Sequence, residues 1–166
     1  MHVSESVWQA VYRRPRLVCA LWVISHAGVV VSVVGFAGML GWLLFVKWPA
    51  VIVAIGCLGG GFVFVSLWRR WQNAERPYQR YEVLAGVRKT KAGQSFPSRH
   101  AFSAFAIGTW GCLLHPALCA VLLMVAVLQS AARFLLGVHY LRDVLVGAVV
   151  GAAVGGACAW LCLLVR

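Results

Sequence analysis

Residues 131–147 read AARFLLGVHYLRDVLVG. Apolar runs of about 117–136 and 144–165 flank this stretch, each long enough to cross a bilayer core of about 30 Å. The pattern is therefore two membrane helices joined by a short polar connection. That connection holds Arg133, His139, Arg142 and Asp143, and Asp143 is the only aspartate in the chain. An ionisable side chain beside hydrocarbon is costly, and such residues are functional candidates by default. His139 and Asp143 lie four positions apart, which puts them on one face if the turn is helical. An imidazole held by a carboxylate serves as a base or a nucleophile. The alternative is a polar loop in which Asp143 only complements the dipole of the next helix.

Composition extends the membrane reading to the whole chain. The 166 residues suffice for one domain (1–166) and are 62% hydrophobic and only 11% charged. Mean hydropathy is +0.85, and soluble domains carry more than twice this charged fraction. The formal net charge of +11 would suggest nucleic acid in a soluble protein. Here ten of the fifteen Lys and Arg residues fall between Arg69 and Arg142, beside apolar segments. Anionic headgroups or phosphates fit that placement better, and no nucleic-acid partner is expected. The six cysteines all sit in apolar runs without a CxxC pair, and read as packing residues with neither disulfide nor metal. No cleavable signal peptide is evident at the start.

Taken in order, residues 1–16 space Val3, Val7, Ala10 and Val11 as one face of a short helix, followed by Arg13, Arg14 and Arg16. This predicts an interfacial N-terminal helix ended near Pro15. Residues 17–46 lack Lys, Arg, Asp and Glu. At about 45 Å they are too long for one upright span, so an oblique start broken near Ser25 and His26 is expected before a crossing at about 27–46. After Lys47-Trp48-Pro49 a second crossing spans 50–68, with GCLGGG (56–61) suited to close helix contact. Further crossings are expected at about 98–114, 117–136 and 144–165, the last with the small-residue run GAVVGAAVGG. The predicted fold is thus an all-α polytopic membrane bundle of five crossings, possibly six. Five crossings place the polar segment 69–97, the start of the 98–114 helix and the Arg133–Asp143 connection on one membrane face.

Each cluster admits a phosphate-binding reading and a plain one. Arg69 and Arg76-Pro77 offer planar forks for phosphate oxygens, or anchor to headgroups as Arg70, Arg80, Arg88, Lys89 and Lys91 are expected to do. Pro97-Ser98-Arg99-His100 marks a helix start, where free N–H groups favour a phosphate. His100 there either donates a proton to a leaving oxygen or is merely solvated.

Together the three clusters resemble the membrane-bound type 2 phosphatidic acid phosphatases, whose site layout is shared with vanadium haloperoxidases. That family's motifs, K-x6-RP, PSGH and SR-x5-H-x3-D, are matched by Arg69-x6-Arg76-Pro77, Pro97-Ser98-Arg99-His100 and Arg133-x5-His139-x3-Asp143. The resemblance covers about residues 50–165, the expected catalytic core. It implies that His139 attacks phosphorus to form a phosphohistidine, that Asp143 holds its other ring nitrogen, and that His100 protonates the leaving group and then activates water. It further implies that Arg69, Arg76, Ser98, Arg99 and Arg133 hold the phosphoryl oxygens, as electrostatic stabilisation of phosphoryl transfer requires. No metal and no cofactor are expected, because arginines supply the positive charge and would repel a cation. Arg69 departs from lysine, Arg99 from glycine and Ala132 from serine, and Arg99 could favour a more highly charged substrate such as a pyrophosphate.

The implied substrate is a lipid phosphate or pyrophosphate reached from the bilayer, with undecaprenyl pyrophosphate, phosphatidylglycerol phosphate and phosphatidic acid all fitting. Two other readings are a lipid phosphotransferase and a catalytically dead phospholipid-binding protein. The expected location is the cell membrane. The positive-inside rule would put the basic face in the cytoplasm. Bacterial members of the family usually work on the outer face, and an extracytoplasmic site is expected because catalysis itself demands arginines.

Overall fold

The computed structural model describes residues 3–84 and 92–165, so the expected anchors Arg88, Lys89 and Lys91 lie outside the described residues. Among the described residues seven α-helices follow one another: α1 (Val3–Tyr12), α2 (Pro15–Val46), α3 (Trp48–Gln72), the single turn α4 (Pro77–Arg80), α5 (Arg99–Trp110), α6 (Pro116–Leu135) and α7 (Leu141–Leu164). Short 3-10 turns at Glu82–Leu84 and Gly111–Leu113 complete the chain. Prolines stand in the first turns of α2, α3, α4 and α6, where a missing N–H costs nothing.

Among the described residues four helices, α2, α3, α6 and α7, are long and apolar enough to cross a membrane. The fifth expected crossing, 98–114, is instead the 12-residue α5 extended by a 3-10 turn. Together these reach about 24 Å. Helix α5 nonetheless runs from the Arg69 end of the bundle to the Lys47 end, since α6 starts there and returns to Arg133. It can be short because α2, α3, α6 and α7 all pack around it, so its own ends need not meet the lipid boundary.

Helix α2 corrects the N-terminal half. It is one unbroken helix of 32 residues, without the break expected at Ser25 and His26. His26 satisfies its ring within the helix by donating from Nδ1 to the Trp22 carbonyl at 2.8 Å, and Ser25 is buried. The start of α2 is held by a protein core rather than by lipid alone: Leu21 packs with Val11, Ala132, Leu136 and Val138. Helix α1 docks on the same end. Trp8 is fully buried, and its Nε1 donates to the Phe134 carbonyl at 2.8 Å. Tyr12 donates its hydroxyl to the Leu136 carbonyl at 3.1 Å. Helix α1 therefore packs over the end of α6.

The two glycine-rich runs behave differently. On α7 a Cβ at Gly147, Gly151 or Gly155 would run into the Ser98, Phe102 or Ala106 carbonyl, so α5 and α7 lie parallel with their backbones in contact. On α3 the expected close contact is made by Gly61 alone, against Phe102 and Val154. Gly56, Gly59 and Gly60 have open space where a Cβ would go. At the far end Lys47 Nζ donates to the Cys162 carbonyl at 2.9 Å. Cys112 and Cys119 form a disulfide there, against the expectation that all cysteines only pack. The tight turn at His115-Pro116 brings their Cα atoms to 4.7 Å, a separation that local spacing alone did not signal.

Candidate active site

The chain leaves α6 through a Schellman turn. Gly137 has φ +65°, its N–H donates to the Phe134 carbonyl, and Val138 donates to the Arg133 carbonyl. Only glycine takes this left-handed position without strain. A Cβ there would also collide with Leu84. Two residues later His139 points inward, 1% exposed, and Asp143 follows in the first turn of α7, fully buried.

The sequence pairs His139 directly with Asp143, and the structure inserts a third group. His139 Nδ1 lies 3.8 Å from Asp143 Oδ2, too far for a direct hydrogen bond. The buried Ser95 hydroxyl donates to Oδ2 at 2.5 Å and sits 3.4 Å from Nδ1. With its proton on the carboxylate, the Ser95 oxygen is placed to accept Nδ1–H. That network assigns the tautomer with a free lone pair on Nε2. The Tyr140 backbone N–H donates a second bond to Oδ2 at 3.1 Å. Burial pushes the His139 imidazole down to about 4; Arg76 and Arg69 add to that and Asp143 opposes it. The ring is therefore neutral at pH 7, the state a nucleophile needs.

Arg142 is exposed but keeps its Nε 3.5 Å from Asp143 Oδ1. Its guanidinium stacks over Tyr140 at 5.4 Å.

The arginines of the three motifs converge but are used differently. Arg69 is 3% exposed at the end of α3. It donates to the carbonyls of Ser95 (3.4 Å), Pro97 (2.5 Å) and Gln94. It thus clamps the loop that carries Ser95 and Ser98, a role that its phosphate assignment did not include. Arg76 donates from Nε to the Gly93 carbonyl at 3.0 Å and lies over the Tyr78 ring. The Gln79 side chain accepts from the Arg76 and Gly93 N–H groups at 3.0 and 2.9 Å and so joins the first motif to the same loop. Arg133 is buried with its Nε unpartnered, a charged donor left open inside the site.

The second motif begins α5. After a cis Phe96–Pro97 bond, Ser98 caps the helix by accepting from the Ala101 N–H at 3.4 Å. Its own N–H donates to the Asp143 carbonyl at 2.9 Å. The starts of α5 and α7 are thus tied together, which is why the second and third motifs meet. The Arg99 and His100 amides, in the first helical turn, have no helix carbonyl within reach and offer an anion site. His100 lies among Arg133, His139, Arg99 and Arg69. The Gln129 side chain donates to its carbonyl at 3.3 Å. Among the described residues no three His, Cys, Asp or Glu side chains converge as metal ligands would.

Sequence reading missed Ser95 and Gln129. Ser95 belongs to no spaced pair, and only the fold brings it 48 positions along the chain to Asp143. Gln129 is a buried amide in an apolar helix, a signal that an intramembrane polar residue does carry.

A cavity of about 270 Å³ opens beside His100 and Arg99, lined also by Ser103, Gln129, Phe62 and Val33. A second of about 230 Å³ adjoins it through Phe62, Ser103 and Ile107 and runs along Gly59 and Phe36. The two form an apolar groove leading from the cationic site along the face of α5 between α2 and α3.

Fold and site define a class: a helical membrane protein with a cationic, histidine-bearing site at one end of its bundle. The PAP2 superfamily model matches residues 50–164, and the chain belongs to that superfamily. Its structure resembles the crystal structure of Aquifex aeolicus LpxE, with a TM-score of 0.67 at 23% identity over 98% of this chain and 96% of that one. It also resembles the first transmembrane PAP2 type phosphatidylglycerolphosphate phosphatase from Bacillus subtilis, with a TM-score of 0.72 at 22% identity over 98% and 86% of the two chains. No curated protein matches the sequence.

Proposed function

We propose that this protein is a membrane lipid phosphatase working through a phosphohistidine. The observation that carries the reading is the buried His139, held through Nδ1 by Ser95 and Asp143, with Arg133, Arg76 and His100 beside it and an apolar groove adjoining. Nε2 of His139 attacks the phosphorus of a terminal phosphate while the bond to the leaving oxygen breaks. His100 supplies that oxygen with a proton. His100 then takes a proton from water, whose oxygen attacks the phosphohistidine and releases inorganic phosphate. Negative charge on the phosphoryl oxygens is met by Arg76, Arg133 and the first amides of α5. The groove accepts the lipid chain, and one of the two solved structures that the fold resembles is a phosphatidylglycerolphosphate phosphatase. The reading needs no metal, since its cations are side chains.

His139→Ala is expected to lower phosphate release from a lipid phosphate in detergent by at least about 10³-fold, with the melting temperature nearly kept. Near-native turnover would remove the nucleophile, and loss of wild-type activity in EDTA would remove the metal-free mechanism.

The proposed site opens on the extracytoplasmic face of the cell membrane, following the family resemblance. Buried Arg69, Arg76 and Arg133 serve the site rather than topology. The other arginines of this end, Arg13, Arg14, Arg16, Arg70, Arg80 and Arg142, pull the opposite way under the positive-inside rule. Labelling an Arg80→Cys variant with a membrane-impermeant maleimide decides between them. Reaction in intact cells is expected, and reaction only after permeabilisation would reverse the orientation.

A further inference from the structure

Among the described residues, two of the four arginines at the site, Arg99 and Arg133, have no side-chain hydrogen bond to the protein, and Arg99 is the less buried of the two. Arg69 and Arg76 spend donors on loop carbonyls, and Arg133 is buried beside His100. Arg99 is half-buried at the mouth of the 270 Å³ cavity, with its guanidinium 5.6 Å from the centre of the Phe62 ring. Among the described residues no carboxylate pairs with it, and the ion pairs present involve only Asp143. A cation facing an apolar groove is costly, and one aromatic face offsets only part of that cost. The place is suited to a ligand's negative charge.

Geometry says which charge. Arg99 and His100 line the same cavity, and the Arg99 guanidinium faces Phe62, which also lines the second cavity. Arg99 therefore borders the path from the site into the apolar groove. The next group along that path in a lipid diphosphate is the inner phosphate.

We infer that Arg99 binds the inner phosphate of a lipid diphosphate and makes the site selective for diphosphates over monophosphates. This rests on the phosphatase reading above. When Nε2 of His139 takes the terminal phosphorus, the bond to the bridging oxygen breaks and its electron pair stays on that oxygen. The oxygen leaves as part of a lipid monophosphate. The added negative charge falls on an anion that Arg99 already holds, bidentately where the fork allows. With a lipid monophosphate the leaving oxygen is an alcohol's, which carries no anion for Arg99. Only the proton from His100 then helps it depart.

The test compares a prenyl diphosphate with the prenyl monophosphate of equal chain length, using the full chain in detergent and following kcat/KM by phosphate release. Arg99→Gln is expected to lower the diphosphate value by about 30- to 100-fold, at least tenfold more than the monophosphate value. Arg99→Lys, which keeps charge but not the fork, should fall between. Arg133→Gln serves as the control that lowers both substrates alike. An equal loss on both substrates for Arg99→Gln would place Arg99 in the shared phosphate cradle or the fold and overturn the inference. A wild-type enzyme that cleaves only the monophosphate would overturn it while leaving the phosphatase reading intact. Release from neither substrate would end that reading itself.

Discussion

The two sides of α5 are built on opposite principles from similar residues. Towards α7, glycines at 147, 151 and 155 recur every four positions and so fall on one helical face. The α5 backbone lies against that face, and the Ser98 N–H reaches the Asp143 carbonyl. Towards α2 and α3, Gly56 and Gly60 keep the same spacing of four, yet they and Gly59 meet no neighbour. One side is rigid because backbone touches backbone, and it holds Asp143, the partner of His139 through Ser95, in register with the helix start that faces it. The other is open, and Gly59 lines the groove there. A helical period in small residues permits backbone contact, but contact forms only where a partner helix lies against that face.

Breaking the packed side should have the largest effect. Gly151→Leu drives a side chain into the Phe102 backbone. It is expected to destabilise by about 3 kcal/mol or more, read as loss of the folded species in detergent size-exclusion chromatography. Ser95→Ala removes the bridge between His139 and Asp143 without touching the packing. A lost hydrogen bond to a charged group, about 1.5–3 kcal/mol, should lower kcat by roughly 10- to 100-fold with KM nearly kept. Lys47→Ala, at the far end, should leave kcat unchanged.

On the open side, Gly59→Leu fills groove space without meeting a wall. The melting temperature should hold while kcat/KM for a long-chain lipid phosphate falls by about tenfold. A short-chain, water-soluble phosphate ester should be cleaved as before, and an equal loss on both would show that Gly59 serves the fold. The smallest effect belongs to Gly56→Ala, expected to stabilise α3 by about 0.5–1 kcal/mol in thermal unfolding.

The pH profile sharpens the packed side further. Since the folded protein holds His139 at about 4, below the ordinary value of about 6.5, kcat/KM should persist on acidification and fall only as pH passes through about 4. Stability follows the same window with its sign worked through. Below about 6.5 the unfolded chain binds a proton that folded His139 refuses, so stability declines from there to about 4 and then levels. An acid limb centred near 6.5 would mean that His139 is not buried as described.

The membrane class, the helical fold and the residue types that the fold brings together at the candidate site were legible without coordinates. The apolar runs exceed what a soluble domain tolerates, and prolines before α4, α5 and α6 mark their starts. The His139–Asp143 spacing of one turn, Ser98 as a cap and arginines at helix ends are all local patterns with local physical causes. What local pattern could not set was decided by packing at a distance. Helix α2 stays whole because α1 and α6 support its start, and α5 is short because four helices surround it. Arg69 turns to loop carbonyls because the segment 93–98 folds back over the end of α3. The same fold-back delivers Ser95 to Asp143. Sequence by itself determined which residue types stand at a membrane boundary and on which helical face, since burial cost and helical period act within a few residues. Only the tertiary structure decided which of those charges are spent on the protein and which are left for a ligand, because each donor's partner comes from a segment far away in the chain.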